Sequence, residues 1–459
     1  MSILNCTLSS DELTRKLLSL ERTAKLCLLD SCGRTNLGSR YLIAGIYPTE
    51  TFEFRCQNKT EAENVLKFLD EKLKVYQKPK TENRKPFSNL SNGMCSVTMS
   101  YNFGLLFENI ISRHAESEKS SEPDAVFHFY ETVIVHDYLT RETFITGKRA
   151  DESAEILHNV TAKNFDSEQS NIVVTSDFTK TEYLAAVEKV RNHIKRGDIY
   201  QANLTQQLTL ESSRNICAEK VFTNLRENHA APFAAFFTRE NDVVISASPE
   251  RFFKVQSPKS KVQSLKSKII SVSPIKGTRM RGSTEIEDEM LRRELLESAK
   301  DRAENVMIVD LLRNDIGRVC EFGSVSVEKL CELETHSTLF HLVSTIRGSL
   351  RENIAEGDLI NAIFPCGSIT GAPKISAMRI IDDIEKSPRN LSMGAIGYFD
   401  FDGNADFNVA IRTAVITANK GVFNVGGGIV FDSEPENEHA ETLVKARALL
   451  SAFSAKFDC

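Results

Sequence analysis

The chain has 459 residues, of which 41% are hydrophobic and 26% charged, and a formal net charge of −6 from 57 basic and 63 acidic side chains. That length allows two or three domains, or one large one with a sizeable core, and the composition is that of a soluble globular protein. The slight acidity, with no dense basic stripe, argues against nucleic-acid binding: Lys259, Lys261, Lys266 and Lys268 are interleaved with serines and valines, as on a solvated hairpin. No stretch nears the roughly 18 uninterrupted apolar residues of a membrane span. The start, MSILNCTLSSDELTRKLLSL, carries Asp11 and Glu12 and resembles neither a secretory signal nor a transit peptide. Ten cysteines without a CxxC pair fit reduced thiols in a cytosolic protein and give no zinc-ligand spacing.

Residues 1 to about 170 carry short β-rich runs, Lys25–Leu29, Tyr41–Ala44 and Ala125–Val135, separated by polar loops. After a linker near Ser167–Ser176, Leu184, Val187, Val190 and Ile194 recur at helical spacing behind Thr179, and the pattern ends at Gly197. Tyr200–Leu210 alternates as a strand does. Gln201, Asn203 and Thr205 form one face, which either meets solvent or lines a polar cavity. Further strands are predicted at Phe233–Phe237, Val243–Ala247, Phe252–Val255 and Ile269–Val272. Glu250 and Arg251 sit between two of them, either as an exposed ion pair at a turn or with Glu250 as a general acid of raised pKa.

Lys276 lies between Ile275 and the bend at Gly277. It is either a surface lysine snorkelling beside a turn or an amine in a partly dry pocket, where lost hydration would make it a nucleophile. A helix opens at Lys300, carries Glu304 at the edge of an apolar run, and is expected to stop within Arg313–Arg318. In Ser368–Lys374, small residues precede a helix with Pro373 in its first turn, an arrangement suited to an anion. Arg412 stands in the apolar strand Val409–Ile416 and needs an anionic partner. Gly426, Gly427 and Gly428 weaken a β-branched run and so need a reason, which close approach of N–H groups to an anion supplies. Ser433 is a plausible N-cap and Pro435 a first-turn residue of the helix on which Glu438, Glu441 and Lys445 share one face.

From Asp177 onward these segments resemble the chorismate-utilising enzymes. SASPERFF, PIKGTRMRG, KDRAENVMIVDLLRNDIGRV, HLVSTIRG, FPCGSITGAPKISAMRIID, GAIGYF, AIRTAVI and GGGIVFDSEPENEHAETLVKA stand in that family's order. The resemblance implies an α+β fold of large antiparallel sheets packed as a sandwich with helices outside. Its two regions would be 1–170 and a chorismate-binding 171–459, interwoven in one compact unit. It also implies Mg2+ on Glu304, Glu441 and Glu438. The enolpyruvyl carboxylate would lie on Arg412, Lys445 and the N–H groups of Gly426 and Gly428, with Thr278, His341, Thr370 and Gly371 along the ring.

Lys276 bears on the branch. Anthranilate synthases typically read PIAGT here, whereas PIKGT resembles the aminodeoxychorismate synthase component I branch. Gln201 replaces the lysine base with which isochorismate and salicylate synthases activate water. The implied reaction adds Lys276 to chorismate with Glu250 as acid, and ammonia then displaces the lysine to give 4-amino-4-deoxychorismate, the precursor of p-aminobenzoate and folate. No segment resembles a glutamine amidotransferase, so a separate glutaminase subunit is implied as the ammonia source. Anthranilate synthesis and a non-catalytic chorismate-binding subunit are the alternatives. Three departures stand out: Cys366 where the family often has glycine, the long Lys-rich segment 256–273, and the weakly matching first third. Within that third, Leu28-Leu29-Asp30-Ser31 resembles the tryptophan-binding element of anthranilate synthase, which leaves open whether tryptophan binds here.

Overall fold

The computed structural model describes residues 2–34, 38–77, 93–114, 122–165, 171–257, 267–335 and 339–457. Two antiparallel sheets, of 12 and 10 strands, form its centre. The larger runs Ser2–Cys6, Glu142–Gly147, Thr132–Asp137, Tyr41–Gly45, Cys27–Asp30, Phe233–Thr238, Val243–Ser248, Thr413–Thr417, Lys420–Ile429, Gln201–Ser212 and Gly371–Ala372, with Ile172–Ser176 also on Gln201–Ser212. The smaller runs Ile275–Met280, Leu339–Ser349, Ile269–Val272, Arg251–Gln256, Ala405–Val409, Ala395–Asp400, Met94–Met99, Ala125–Tyr130 and Glu50–Phe54, with Ser326–Thr335 also on Leu339–Ser349. Both sheets mix strands from either side of residue 170. Cys27–Asp30 pairs with Phe233–Thr238 in one, and Met94–Met99 pairs with Ala395–Asp400 in the other.

Burial divides into layers. Cys27, Val133, Phe237 and Val244 of the larger sheet meet Met94, Val126, Tyr130 and Ile396 of the smaller, so the two inner faces share one apolar interface. The outer face of the smaller sheet packs on helices Lys59–Tyr76, Ala299–Gly317 and Glu356–Ile363. The outer face of the larger packs on Ser10–Leu18, Ala218–Asn228 and Pro435–Ala452. The predicted sandwich with outer helices is therefore the observed fold.

Several elements differ from expectation in ways that matter for the site. The apolar run Ala125–Val135 is two strands in different sheets, because the chain crosses the sandwich at Glu131. Val409–Ile416 is likewise not one strand: Ala405–Val409 belongs to the smaller sheet, Thr413–Thr417 to the larger, and Arg412 lies at the crossing with φ +49°. The first long helix, Lys180–Lys195, has a capping box between Thr179 and Glu182. The helix carrying Glu304 runs Ala299–Gly317 and so stops within the expected segment, with Asp315 and Ile316 buried in its last turn. Glu285–Glu297, an acidic helix with one buried side chain, escaped the periodicity reading. Lys259, Lys261 and Lys266 lie outside the described residues, whereas Lys268 pairs with Glu356 at 2.8 Å. No described helix is long and apolar enough to cross a membrane.

Candidate active site

Two strands bring the expected residues together. Gln201–Ser212 pairs with the glycine strand so that Asn203 faces Gly428 and Thr205 faces Gly426, while its start pairs with Gly371–Ala372. The N–H groups of Asn203 and Thr205 go to Thr370 O and Glu385 Oε1, on the side away from the glycine strand. Antiparallel alternation then turns the backbone of Gly426 and Gly428 outward as well, past the end of their pairing with Thr413–Thr417. Gly426 O accepts from Lys445 Nζ at 2.9 Å on that edge. The polar face of Gln201, Asn203 and Thr205 is interior, with Gln201 only 1% exposed, so it faces inward and not the solvent.

At Gly428 the site closes up. A Cβ there would overlap Gln201 Nε2 and lie 3.7 Å from Lys276 Nζ, so a bare backbone is what lets both side chains approach this point of the strand. Lys276 is half-buried on strand Ile275–Met280. The bend after it, Gly277, has φ +85°, and a Cβ there would press on Leu295 Cδ1 at 2.9 Å. Gln201 Oε1 is buried and, among the described residues, has no hydrogen-bond partner. One neighbour of Gly428, Gly427, faces the acidic side: its Cβ would lie 3.4 Å from Glu438 Oε2, 3.6 Å from Glu441 Oε1 and 3.6 Å from Lys445 Nζ.

Glu250 is not the exposed ion pair of a turn. It is 8% exposed, at a point where the chain passes from the larger sheet to the smaller, and Arg251 pairs instead with Asp406 at 2.8 Å. Burial raises the Glu250 carboxyl above its ordinary range, and a hydrogen bond from Ser368 with the charges of Lys276 and Lys445 opposes this. Burial also raises Glu304, against Lys276 and Lys300, and Glu438, against a hydrogen bond from Ser433. Glu441 is exposed, and Lys445, 2.6 Å away, holds its carboxyl below the usual value against some loss of hydration. Ser433 does not cap the last helix: Glu434 does, without a side-chain bond, and Pro435 is in the first turn.

The remaining expected residues fall around this centre. Thr278 and His341 face each other across adjacent strands, Oγ1 to Nδ1 at 2.9 Å. Thr370 is fully buried, and its hydroxyl donates to Gly367 O at 3.1 Å and Cys366 O at 3.3 Å, so the loop itself uses it. Pro373 is the N-cap of Lys374–Ile384, not a first-turn residue. Arg412 is exposed to solvent, yet desolvation lowers its pKa, and among the described residues it forms no ion pair. Cys366 is buried, and its carbonyl accepts from Ile369 N at 3.3 Å. Leu29 to Ser31 line a cavity of about 100 Å³ between the sheets, away from Lys276, and the Ser31 hydroxyl in it has no partner among the described residues.

Sequence reasoning missed the frame of the site. Arg389, buried, donates to Ile369 O at 2.8 Å, to Asn203 O, and to Glu385 at 2.7 and 2.8 Å, and Glu385 takes the Thr205 N–H and hydroxyl. The i,i+4 spacing of Glu385 and Arg389 was legible, but their partners 180 residues away were not.

The chain matches the chorismate binding enzyme family over residues 25–451. It is 37% identical to the chloroplastic aminodeoxychorismate synthase of Arabidopsis thaliana over 74% of its own length and 38% of that protein's, so it spans well under half of that relative. It is 31% identical to aminodeoxychorismate synthase component 1 of Bacillus subtilis over 90% of this chain and 89% of the other. The crystal structure of anthranilate synthase component I from Streptococcus pneumoniae superposes with a TM-score of 0.73 at 27% identity, covering 90% of this chain and 93% of that one. By sequence and by fold, this chain belongs to the chorismate binding enzyme family.

Proposed function

We propose that this enzyme converts chorismate and ammonia to 4-amino-4-deoxychorismate, as an aminodeoxychorismate synthase component I does, and so serves p-aminobenzoate and folate synthesis. The observation that carries this reading is the approach of Lys276 Nζ and the Gln201 amide to the same glycine, Gly428, with the buried Glu250 near enough to feel the Lys276 charge. The amine of Lys276 attacks C2 of chorismate, both conjugated ring double bonds shift, and the C4–O bond breaks. Glu250, whose carboxyl burial makes less acidic, protonates the departing hydroxyl, which leaves as water. Ammonia then attacks C4, both double bonds shift back, and the C2–N bond to Lys276 breaks. Gln201 offers its unpartnered Oε1 to an N–H of ammonia and has no basic nitrogen with which to activate water. That combination favours nitrogen over oxygen as the second nucleophile.

Arg412, Lys445 and the outward N–H edge of Gly426 and Gly428 would take the enolpyruvyl carboxylate. Thr278 and His341 would lie along the ring with the main chain of Thr370 and Gly371. Glu304, Glu438 and Glu441 would hold Mg2+. Burial has raised Glu304 and Glu438, a penalty that a divalent cation relieves, and all three offer hard oxygen. As the side chains stand, no group of three among the described residues is close enough to hold an ion, and Lys445 occupies Glu441, so binding requires them to converge. The cation would supply charge for the ring carboxylate, which three glutamates would otherwise repel. A separate glutaminase would furnish the ammonia, in the cytoplasm.

Mass spectrometry of the product from purified chain, chorismate, Mg2+ and ammonium tests the reading, with Lys276→Ala in parallel. Aminodeoxychorismate from the wild type and a loss of at least about 10²-fold in the variant are expected, on the scale of nucleophilic and acid–base terms. Anthranilate from the wild type would replace this reading with that of the tryptophan branch.

A further inference from the structure

Residues 364–373 connect helix Glu356–Ile363 to helix Lys374–Ile384 and carry Thr370 and Gly371, the part of the chain set beside Gln201. One side of this loop is pinned next to the Gln201 strand. Thr370 O accepts from Asn203 N at 2.8 Å, Ala372 O from Tyr200 N at 2.7 Å, and Ile369 O from Arg389 at 2.8 Å. Its base is closed by a different group. Lys374 Nζ donates to Ile363 O at 2.8 Å and to Asp315 Oδ2 at 3.0 Å, and all three residues are buried. Ile363 O ends its helix and has no partner within it, so the ammonium takes a carbonyl that the helix leaves orphaned. One side chain thus joins the residue before the loop to the residue after it, and both to a third helix, Ala299–Gly317. Asp315 stands about three turns beyond Glu304 on that helix, and on the same side of it. The loop also lies directly against this helix, since a Cβ on Gly367 would come within 2.7 Å of Leu311 Cδ2.

We propose that Lys374, through Asp315 and Ile363 O, is a positioning residue for the loop that borders the chorismate ring. It staples residues 364–373 at their base and sets Thr370 and Gly371 against the helix that presents Glu304. The inference rests on chorismate lying along this loop, as proposed above. Two apolar side chains of similar size can give an interior as much stability as a buried ion pair, so what this pair adds is a fixed geometry. With the base released, the loop keeps its bonds to Asn203 and Arg389 but pivots about them, and chorismate must then bear the entropy of fixing it. Lys276 and Gln201 stand on the strands Ile275–Met280 and Gln201–Ser212, and Glu250 lies between Val243–Ser248 and Arg251–Gln256, so the chemical steps lose little. The signature is a weaker hold on chorismate at nearly unchanged turnover.

The test is steady-state kinetics with varied chorismate, in Mg2+ and ammonium, beside a melting curve, for Lys374→Met and for the paired variant Lys374→Met/Asp315→Leu. Lys374→Met leaves Asp315 buried without its partner, so it should melt lower and raise KM for chorismate about tenfold or more, with kcat within about threefold. The paired variant holds no orphaned charge. It should regain most of the lost melting temperature while KM stays as high, because Ile363 O and the helix are still unjoined. A merely structural role reads differently: a smaller folded fraction lowers the apparent kcat at an unchanged KM. A KM within about twofold of wild type in Lys374→Met, or a KM restored together with the melting temperature in the paired variant, overturns the inference. If Lys374→Met does not fold, the paired variant decides, and a wild-type KM there removes the staple. Product identity in the wild type judges the reading on which this rests. A product other than 4-amino-4-deoxychorismate refutes that reading, whereas the KM comparison needs only chorismate consumption and still judges the staple. A wild type without turnover refutes it too, and chorismate affinity by calorimetry then takes the place of KM.

Discussion

Gly428 shows how much of this site depends on one missing Cβ. The nearest obstacle to a methyl group there is the amide end of Gln201, a side chain and not backbone, so the strand can keep its place while the amide yields. Gly428→Ala is therefore expected to lower kcat/KM for chorismate at least about tenfold while melting within a few degrees of the wild type, since overpacking costs about 1–3 kcal/mol. A melting curve and steady-state kinetics check both halves. Asp400 makes the corresponding point for charge. Burial pushes its carboxyl up to about 7, against hydrogen bonds from Asn404 and Asp402. The folded pKa lies above an unfolded value of about 3.9, so the stability it contributes is intact below about pH 4 and is lost as pH rises through about 7. Asp400→Asn removes that titration. Relative to the wild type, the variant should gain stability between pH 5 and pH 8, by urea unfolding at each pH.

At the scale of elements, caps and crossings position the chemistry. The helix Lys180–Lys195 begins on Thr179, whose side chain accepts from Glu182 N at 3.3 Å while Glu182 accepts from the Thr179 N–H at 2.8 Å. Thr179→Ala should cost about 1 kcal/mol of unfolding free energy and leave kcat unchanged, because this helix supports the site without lining it. The sequence announced that cap. It also announced the strand at Tyr200–Leu210, but not which way its polar face looks. A run of Gln, Asn and Thr alternates identically whether it meets solvent or a polar cavity, and here the facing loop of Ile369 to Ala372 decides. Crossings were the least legible feature. Ala125–Val135 and Val409–Ile416 read as single strands because apolar residues continue without a break, yet each passes from one sheet to the other. Glu250 and Arg412 lie at two such passages, joined side by side by the bonds Val409 N to Glu250 O and Ala247 N to Arg412 O.

For the whole molecule, the binding of a cation and the integrity of the frame are the quantities to measure. Mg2+ should raise the melting temperature of the wild type and not that of Glu304→Gln or Glu441→Gln, because a ligand bound only by the folded state stabilises it. The frame rests on Arg389, whose guanidinium is enclosed between Glu385, two carbonyls and the Tyr101 ring 4.5 Å away. Arg389→Ala strands Glu385 in the interior and should cost about 3–5 kcal/mol, read by denaturant unfolding. What the sequence determined by itself was the inventory: the segments of the family, the lysine at 276, the carboxylates, and the elements whose caps and periodicity are local. Such features depend on neighbours three or four residues away, so one chain suffices to read them. The tertiary structure alone decided that Glu250 is buried, that the polar strand faces inward, and that the side chains of Lys276 and Gln201 both approach Gly428. Burial and hydrogen bonding there join residues a hundred or more positions apart, and desolvation, which sets their acidity, is a property of the assembled sheets and of no single segment.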